Sequence, residues 1–455
     1  MSYQSLIEAQ RTFFHSNVTK DIHFRLKQLR KLLAVLKENE PLLYKAIHED
    51  FKKSEFDTYT TELSLVYHDI KEAIQMLPKW AKKKRTRTNL VNVPGKSYII
   101  PEPLGVCLVI GAWNYPYQLS LAPIVAAIAA GNTVVLKPSE LPANTSVAMA
   151  KILNTAFEEN FIKVIEGGIP ETTELLSCKF DKIFFTGSTT VGKIVYQAAA
   201  KNLTPVTLEL GGKSPVFVTR DADIDNSAKR IVWGKFLNSG QTCIAPDYIL
   251  VESSVQEKLL GSMKSYIEKF SYSFANENYI QIVNERNMKR LSKFIDKDKV
   301  YVGGKIHEEE RFIEPTILRD VSFADKVMQE EIFGPILPVI SFDSLDKAIT
   351  QVKQGAKPLA CYIFTNDAKI KEKILQEVSF GGGQVNDTLM HVVNYHLPFG
   401  GVGDSGIGSY HGEAGFKVFT HYKSILEKPF FGEPNLKYPP YSKNKLSWIK
   451  KILSF

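Results

Sequence analysis

The chain opens with a long stretch in which apolar residues recur at helical spacing. From Tyr3 to about Lys84, leucines return at steps of three and four residues, while lysines and arginines occupy the other face. The leucines that set this rhythm most clearly are Leu26, Leu29, Leu32, Leu33 and Leu36. The pattern predicts amphipathic helices over this whole stretch.

The helical pattern ends in a segment with the signals of a hairpin. Between Thr88 and Pro103 the apolar period is lost, Pro94-Gly95 predicts a turn, and the run 97–100 is rich in β-forming residues. The sequence therefore predicts a β-hairpin here.

Three strand-turn-helix units follow the hairpin. Their strands are short, continuous apolar runs, which is typical of strands buried on both faces of a sheet. The runs are Val106–Ile110, Thr133–Leu136 and Lys182–Thr186. Because strands alternate with helices, we predict a parallel α/β sheet.

The rest of the chain is predicted to contain another α/β region, a loop and a strand. A second α/β region is predicted over roughly 212–386, followed by a glycine-dense loop at 397–406 and a strand near 424–426. A chain of 455 residues exceeds what one core usually supports, so two or three domains are expected.

Composition and charge narrow the classes of protein only a little. With 44% hydrophobic and 23% charged residues, the chain can fold as an ordinary globule. The formal charge of +8 suits an anionic partner such as a dinucleotide, although a lysine-rich solvated surface is the favoured interpretation. The densest basic run, 82–85, lacks interleaved aromatic residues, so no nucleic-acid partner is expected.

The cysteines and the N-terminus indicate the compartment. Four cysteines are too few and too scattered for a disulfide framework, and none forms a metal-ligand pair, so we expect no metal site and a reducing, cytoplasmic location. Residues 1–10 contain no long apolar stretch and carry a glutamate, which argues against a secretory signal. The longest apolar run, 119–130, is too short to cross a bilayer, so no transmembrane segment is expected.

Two short strings carry candidate chemistry. Cys243 lies in Asn-Ser-Gly-Gln-Thr-Cys-Ile-Ala-Pro-Asp, residues 238–247, and Glu209 lies in Leu-Glu-Leu-Gly-Gly, residues 208–212. We interpret both as parts of small-residue turns between apolar runs. A thiol can attack a carbonyl carbon and a carboxylate can activate water, which is what a two-step covalent reaction needs.

The ordinary alternatives apply to most residues of these types. A lone cysteine is most often a buried hydrophobe, and this role is assigned to Cys107, Cys178 and Cys361. A lone glutamate is usually solvated, but Glu209 has apolar neighbours and two glycines after it.

Both strings resemble motifs of the aldehyde dehydrogenase superfamily, and Gly-Gln-Thr-Cys-Ile-Ala-Pro-Asp-Tyr is most similar to its class 3 branch. The resemblance runs from about the first helix to residues 410–412. It implies an α/β fold with a Rossmann-like parallel-sheet cofactor domain, a second α/β catalytic domain and a small β oligomerisation element. The implied boundaries are 1–85 and 104–210 for the NAD(P)-binding domain, 211–395 for the catalytic domain, and 86–103 and 416–455 for the oligomerisation hairpin and C-terminal segment.

The resemblance also implies the reaction and its catalytic residues. An aldehyde is oxidised to a carboxylic acid with NAD(P)+ through a hemithioacetal and a thioester on Cys243. The backbone N–H of Cys243 and the side-chain amide of Asn114, in Ala-Trp-Asn-Tyr-Pro, would stabilise the oxyanion. Glu209 would deprotonate the hydrolytic water, and since a free glutamate with a pKa of about 4.3 is a weak base, its pKa should be raised by partial burial.

A nucleotide site is expected at a helix start. Gly187 and Gly192 bracket a predicted helix N-terminus, where a pyrophosphate can approach unpaired N–H groups, although their G-x-x-x-x-G spacing is also typical of a simple tight turn. The string Phe-Thr-Gly-Ser, residues 185–188, is similar to the family's nucleotide loop. The cofactor-binding set that the resemblance implies is Trp113, Lys137, Glu140, Gly187, Ser188, Val191, Gly192, Leu210, Glu331 and Phe333.

The carboxylate of Glu140 decides the expected cofactor. At the carboxyl end of a strand it can accept hydrogen bonds from the adenosine ribose, whereas a 2′-phosphate would meet like charge. NAD is therefore expected, and NADP stays open because relatives of this branch use either. Without the resemblance, Lys137 and Glu140 would be interpreted as a surface ion pair.

The implied substrate contacts are Tyr115, Leu119, Trp233, Thr242 and His391. Such an apolar, aromatic entrance suits medium-chain aliphatic or aromatic aldehydes, although core packing explains several of these residues equally well. Three histidines, His391, His396 and His411, lack metal spacing and are interpreted as packing residues.

Other functions and partners remain open from the sequence. The alternatives are a cofactor-independent thiol esterase, a CoA-acylating aldehyde dehydrogenase, or a non-catalytic binding protein on this scaffold. The resemblance implies a homodimer in which the hairpin and the segment after about Phe416 exchange strands across the subunit boundary. The tail 443–455 places apolar residues on one helical face with lysines around them, which suits weak contact with an anionic membrane surface, packing onto the body, or fraying.

Overall fold

The computed structural model describes residues 3–454. The N-terminal leucine pattern folds as predicted, into α1 (Tyr3–His15), α2 (Ile22–Glu38), α3 (Glu40–Phe51), α4 (Glu55–Thr58) and α5 (Ser64–Trp80). Leu29, Leu32 and Leu36 of α2 are fully buried because they form the apolar stripe that packs onto the core. One π-helical turn, Tyr59–Leu63, joins α4 to α5.

The other helices alternate with strands along the chain. They are α6 (Pro116–Ala130), α7 (Ala143–Ala156), α8 (Ile169–Ser177), α9 (Thr189–Ala200), α10 (Ile224–Phe236), α11 (Gln256–Phe270), α12 (Glu285–Ser292), α13 (Leu345–Gln354), α14 (Ala368–Glu377), α15 (Gly412–Val418) and α16 (Lys443–Leu453). The strands are β1 (Lys84–Thr86), β2 (Lys96–Pro103), β3 (Val106–Ile110), β4 (Thr133–Lys137), β5 (Ile162–Val164), β6 (Lys182–Thr186), β7 (Val206–Glu209), β8 (Pro215–Val218), β9 (Tyr248–Glu252), β10 (Val300–Val302), β11 (Ile306–His307), β12 (Phe312–Ile313), β13 (Thr316–Leu318), β14 (Ile336–Phe342), β15 (Ala360–Phe364), β16 (Gly382–Val385), β17 (Gly406–Ile407) and β18 (Thr420–Glu427).

A six-stranded sheet in the order β17-β7-β6-β3-β4-β5 forms the first α/β unit. Strands β3 to β7 are parallel, and β17 pairs antiparallel with β7. The three strands predicted from apolar runs are confirmed, and β5 and β7 add to them. Glu209 was wrongly interpreted as part of a turn, because it is the last residue of β7 and its residue pair in β6 is Thr186.

The strand order of this sheet creates a crevice at one place. From β3 the chain first adds β4 and β5 on one side, and then returns to add β6 and β7 on the other side. The connections after β3 and β6 therefore diverge at the carboxyl ends of these neighbouring strands, near Ile110 and Thr186. Open α/β sheets bind ligands at such a switch point.

A seven-stranded sheet in the order β10-β13-β14-β9-β8-β15-β16 forms the second α/β unit. It confirms the α/β region predicted for about 212–386. All its pairs are parallel except that of β10 with β13. Strands β8, β9 and β15 are buried along their whole length, so this sheet has core on both faces.

The predicted hairpin is present as part of a three-stranded sheet. Strand β2 pairs antiparallel with β1 on one side and, over eight residues from Thr420–Pro103 to Glu427–Lys96, with β18 on the other. The hairpin and the C-terminal strand thus pair with each other within one chain, and the expected exchange of strands between subunits stays a prediction. Strand β1 begins at Lys84, at the end of the stretch predicted to be helical.

The described residues show neither of two further patterns, a membrane-spanning helix or a metal-binding cluster. Between residues 3 and 454, no helix is both long and apolar enough to cross a membrane. Over the same range, no group of three or more His, Cys, Asp or Glu side chains is arranged to hold a metal ion.

Candidate active site

The loop that carries Cys243 has an unusual backbone. Directly after α10, Asn238, Ser239 and Gly240 adopt φ values of 54°, 52° and 71°, three left-handed residues in succession. Non-glycine residues seldom adopt this conformation, and it is found where surrounding contacts fix the backbone. The run turns the chain sharply between α10 and Cys243.

Hydrogen bonds to a neighbouring segment hold this loop. The hydroxyl of Ser239 donates to the carbonyl of Ile280 at 2.6 Å. The side-chain amide of Gln241 donates to the carbonyl of Gln281 at 3.0 Å and accepts from the backbone N–H of Val283 at 3.0 Å. These bonds fix the backbone just before Cys243.

Gly240 brings a second loop close to the first. A β-carbon at this position would collide with the carbonyl oxygen of Gly334, in the turn that carries Glu331 and Phe333. Only a residue without a side chain lets the two backbones approach so closely. The loops of Cys243 and Glu331 therefore pack as one unit.

Asn114 and Tyr115 are fixed against the Cys243 loop. The amide of Asn114 donates to the carbonyl of Gln241 at 3.0 Å, and the amide of Asn238 donates to the carbonyl of Asn114 at 3.0 Å. The hydroxyls of Tyr115 and Thr242 are 2.6 Å apart. The second N–H of the Asn114 amide remains available to an oxyanion formed beside Cys243.

Glu209 is a buried carboxyl group that faces the same cleft. Its residue is only 3% exposed, and burial raises its pKa well above the ordinary glutamate value. Among residues 3–454, none donates a hydrogen bond to either carboxyl oxygen. A carboxyl group in this setting is a stronger base than a solvated glutamate once it loses its proton.

Cys243 itself is half-buried at the boundary between two cavities. Burial raises the pKa of its thiol, and the charges of Glu209 and Glu331 raise it further, while the backbone amides of Cys243 and Ile244 act in the opposite direction. The raised pKa favours the protonated thiol over the thiolate. Activation therefore requires a base or a nearby positive charge.

The first cavity is a cleft of about 700 Å³ at the switch point of the six-stranded sheet. Nine of the ten residues expected to bind the cofactor line it: Trp113, Lys137, Glu140, Gly187, Ser188, Val191, Leu210, Glu331 and Phe333. The tenth, Gly192, lies in the first turns of α9 outside the lining. A β-carbon there would press on the side chain of Leu210, so Gly192 permits close packing of α9.

The start of α9 opens into this cleft. Ser188 is its N-cap, and the Ser188 hydroxyl accepts a hydrogen bond from the N–H of Val191 at 3.4 Å. Unpaired N–H groups and the positive end of the helix dipole favour a phosphate at this position. At Gly187, just before the cap, a β-carbon would press on the ring of Phe185, so glycine permits the close approach of the chain at the helix start.

Lys137 and Glu140 occupy another wall of the cleft. The ammonium group of Lys137, 2% exposed, lies 3.6 Å from the carboxylate of Glu140 and donates to the carbonyl of Pro138 at 2.6 Å. Burial lowers the pKa of Lys137, and the charges of Glu140 and Glu171 oppose that shift. The pair presents one donor and one acceptor, which is what ribose hydroxyls require.

Glu331 and Phe333 approach the cleft from the second α/β unit. Burial raises the pKa of Glu331 to about 8, and the neighbouring charge of Asp247 adds to the shift. The Phe333 ring packs edge-on against Trp113, with ring centroids 5.2 Å apart. A helix start, a neighbouring lysine and carboxylate, and an aromatic wall beside the thiol together fit a nicotinamide dinucleotide.

The second cavity is an apolar tunnel of about 440 Å³. Leu119, Cys243 and Phe399 line both cavities, so the thiol lies where they meet. Four of the five residues expected to contact substrate line the tunnel: Tyr115, Leu119, Trp233 and Thr242.

His391 lies behind the tunnel wall. Its ring packs near Tyr362 and Phe399, with centroid distances of 6.0 and 6.1 Å. Burial lowers the pKa of His391 to about 4, so the ring is neutral at physiological pH. The structure thus supports the packing interpretation of this histidine.

The sequence analysis missed several residues that line the two cavities. Those in the cleft include Thr172, Thr173, Arg286, Asn287 and Arg290. Those in the tunnel include Phe56, Leu65, Leu237, Met390 and Val393. They come from helices and loops distant in sequence, and no local pattern distinguishes them from surface or core residues.

The comparisons with known proteins define the class. The model of the aldehyde dehydrogenase family matches residues 2–425. This chain therefore belongs to the aldehyde dehydrogenase family. It oxidises aldehydes to carboxylic acids with NAD(P) as cofactor.

Individual relatives cover nearly the whole chain. It is 45% identical over 447 residues to aldehyde dehydrogenase family 3 member A2 of Mus musculus, covering 97% of this chain and 92% of the relative. It is 46% identical over 444 residues to the 4,4'-diaponeurosporen-aldehyde dehydrogenase of Staphylococcus aureus, covering 97% and 96%. A solved structure of Staphylococcus aureus AldH in its substrate-bound state superposes with a TM-score of 0.97 at 45% identity, covering 99% of both chains.

Proposed function

We propose that Cys243 is the nucleophile of this aldehyde dehydrogenase and that its partners are Asn114 and Glu209. The observation that carries the proposal is the position of Cys243 at the junction of the cleft and the tunnel. An aldehyde at the end of the tunnel and a nicotinamide in the cleft would both reach the sulfur. No other cysteine among residues 3–454 lines either cavity.

In the first half-reaction, Cys243 loses its thiol proton to water in the cleft, and the thiolate sulfur bonds to the aldehyde carbon as the carbonyl π bond opens toward oxygen. The negative charge that develops on the aldehyde oxygen is stabilised by the backbone N–H of Cys243 and by the free N–H of the Asn114 amide. A nicotinamide bound in the cleft would accept the hydride that leaves this carbon. The acyl group remains on Cys243 as a thioester.

In the second half-reaction, Glu209 removes a proton from water. The resulting hydroxide adds to the thioester carbon, and the thiolate of Cys243 leaves, which releases the carboxylic acid. Glu209 must be deprotonated for this step. Since burial raises its pKa, hydrolysis should accelerate as pH rises through that value.

An aldehyde panel tests the function and its substrate range. The tunnel wall is apolar and aromatic, so medium-chain aliphatic and aromatic aldehydes should give lower KM values than short or charged ones. The assay follows absorbance of reduced cofactor with NAD and NADP in parallel. Formation of acyl-CoA in place of free acid when coenzyme A is added would assign a different second half-reaction.

Replacing Glu140 with glutamine is expected to change cofactor preference. NAD is the proposed cofactor because the Glu140 carboxylate faces the cleft and would repel a 2′-phosphate. Removing this charge should improve kcat/KM for NADP relative to NAD by about fivefold. Steady-state kinetics with both cofactors measure the ratio.

The matched control for Glu140→Gln is Glu159→Gln. Glu159 also pairs with a lysine, Lys163, at 3.5 Å, but it lies outside the cleft. Its substitution should leave the ratio unchanged. An unchanged ratio in Glu140→Gln would contradict the assignment of this residue to the ribose.

The cleft and the tunnel support a division of the chain into three functional regions. We assign 1–85 and 104–210 to cofactor binding, 211–395 to catalysis, and 86–103 with 416–455 to oligomerisation, with β1 crossing the first boundary.

The three-stranded sheet leaves β1 and β18 at its edges, which are available to another chain. A homodimer is proposed, and light scattering during size-exclusion chromatography measures its mass.

The cysteines favour a cytoplasmic location for this activity. All four are free thiols, and Cys243 must stay reduced to act as the nucleophile.

The C-terminal helix is expected to contact anionic membrane surfaces weakly. Helix α16 carries four lysines, and its Leu446, Trp448 and Leu453 are 52%, 60% and 60% exposed. An exposed apolar face bordered by lysines suits the interface of anionic lipids. Co-sedimentation with phosphatidylserine vesicles should therefore be lost when residues 443–455 are removed.

Charge-reversal variants distinguish a contact made by α16 from non-specific attraction between a basic protein and anionic lipids. Lys450→Glu with Lys451→Glu should abolish binding, while Lys82→Glu with Lys83→Glu, an equal change at another exposed lysine pair, should retain most of it. Equal binding by full-length and truncated protein would rule out the contact.

A further inference from the structure

A buried ion pair outside both cavities lies beside the start of α6. The ammonium group of Lys53 is 2.6 Å from the carboxylate of Glu62, and the two side chains are 2% and 0% exposed. Buried pairs of this kind stabilise a fold little, because desolvation offsets most of their attraction. The contacts of the pair suggest that it fixes geometry.

Glu62 caps the helix that follows Asn114. Its second carboxylate oxygen accepts hydrogen bonds from the backbone N–H groups of Tyr117 at 2.8 Å and Gln118 at 3.4 Å. These are the second and third residues of α6, where N–H groups have no partner within the helix. A capping residue normally provides such an oxygen, but Tyr115, at the cap position, directs its hydroxyl to Thr242.

Lys53 holds the ring of the same tyrosine. Its ammonium nitrogen is 4.6 Å from the centroid of the Tyr115 ring, within the range of a cation–π contact. The Tyr115 hydroxyl in turn contacts Thr242, the residue before Cys243. A continuous set of contacts thus joins the ion pair, through Tyr115, to the residue that precedes the catalytic thiol.

The backbone around Glu62 has a form suited to this task. Glu62 lies in the π-helical turn Tyr59–Leu63, which inserts an extra residue between α4 and α5. Such turns occur frequently at functional sites, where they redirect a side chain. Here the turn belongs to a segment that also supplies tunnel-lining residues, including Phe56 and Leu65.

We propose that Lys53 and Glu62 are positioning residues that hold Asn114 and Tyr115 in register with Cys243. The inference rests on the proposed roles of Cys243 and Asn114. Neither Lys53 nor Glu62 lines the cleft or the tunnel, so they act through the start of α6 and the Tyr115 ring. A displacement of about 1 Å at a reacting group can cost on the order of a hundredfold in rate.

The test measures the first half-reaction separately from folding and cofactor binding. In Glu62→Gln and in the charge-free double variant Lys53→Met/Glu62→Gln, the rate constant for the burst of reduced cofactor should fall on the order of tenfold or more. The dissociation constant for NAD, measured by fluorescence quenching, should be unchanged. The burst rate constant should fall further in Glu62→Leu than in Glu62→Gln, because leucine cannot accept the hydrogen bonds from Tyr117 and Gln118.

Asp181 provides the matched control. Its carboxylate also contacts a guanidinium group and accepts from a backbone N–H, those of Arg11 and Val106 at 2.8 Å each, but at the amino-terminal ends of β3 and β6, opposite the switch point. Asp181→Asn should lower the melting temperature and leave the burst rate constant unchanged. A merely structural role for Glu62 predicts instead that burst rate and melting temperature fall together in both variants.

The outcomes are distinguishable. Unchanged burst rates in Glu62→Gln, Glu62→Leu and the double variant would overturn the positioning role. A slowed burst with cofactor affinity retained would support it. If Cys243→Ala reduced the cofactor as fast as the wild type, the assignment of Cys243 would fail, and the positioning role would fail with it.

Discussion

Replacing Cys243 with alanine is expected to lower aldehyde oxidation by at least about four orders of magnitude, because nothing else can form the covalent intermediate. The loss should appear in the absorbance of reduced cofactor at saturating aldehyde. NAD should still bind, because the other residues that line the cleft, such as Gly187 and Phe333, are not changed. A variant that retained even about one per cent of the wild-type rate would contradict a covalent mechanism on this residue.

Cys178→Ala is the matched control for the loss of a thiol. Cys178 is buried at the end of α8, with its sulfur 3.5 Å from the carbonyl of Glu174, and it lines neither cavity. We expect this variant to keep nearly full activity. Alkylation by iodoacetamide, followed by mass spectrometry, should modify Cys243 in preference to the other three thiols, which are less exposed.

Replacing Glu209 with glutamine is expected to separate the two half-reactions. The burst of reduced cofactor should remain, because the thioester still forms, but steady-state turnover should fall about 10²- to 10⁴-fold without the base. Rapid mixing measures the burst, and mass spectrometry of the quenched protein should show the acyl group on Cys243. Equal losses of burst and turnover would show that Glu209 acts before the thioester, as a base for the thiol.

The pH dependence supplies an independent check on Glu209. Its pKa is raised in the folded protein, so its contribution to stability is greatest below the unfolded pKa and is lost as pH rises through the folded pKa. Glu209→Gln should therefore have a higher melting temperature than the wild type at pH 8, and a smaller advantage at pH 5. The wild-type deacylation rate should rise with pH over the range in which the variant's rate is flat.

Much of the fold could be predicted from the sequence, because each unit has a strong local signal. Helix α2 follows a leucine stripe, and β3, β4 and β6 are continuous apolar runs. Strands β5 and β7 were missed for physical reasons. Ile162–Val164 is too short to show a pattern, and the Leu-Gly-Gly after Glu209 favoured a turn over the strand that ends there.

The candidate site could be predicted where resemblance supplied motifs, and hardly elsewhere. Cys243, Glu209 and Asn114 lie at one cleft, and nine of ten cofactor residues line it. His391 lies behind the tunnel wall because its neighbours Met390 and Val392 face the tunnel instead. The Lys53–Glu62 pair gave no signal, since its partners Tyr115 and Tyr117 lie more than fifty residues away along the chain.

The close approach of Gly240 to Gly334 has an evolutionary consequence. Because the two turns leave no space between them, an insertion in either would separate the sulfur from the aromatic wall provided by Phe333. The tunnel wall, in contrast, includes side chains from a separate helical segment around Phe56 and a surface loop around Met390. Substitution of those outer side chains can therefore change which aldehydes the tunnel accepts, while the chemistry at the inner end of the tunnel stays the same.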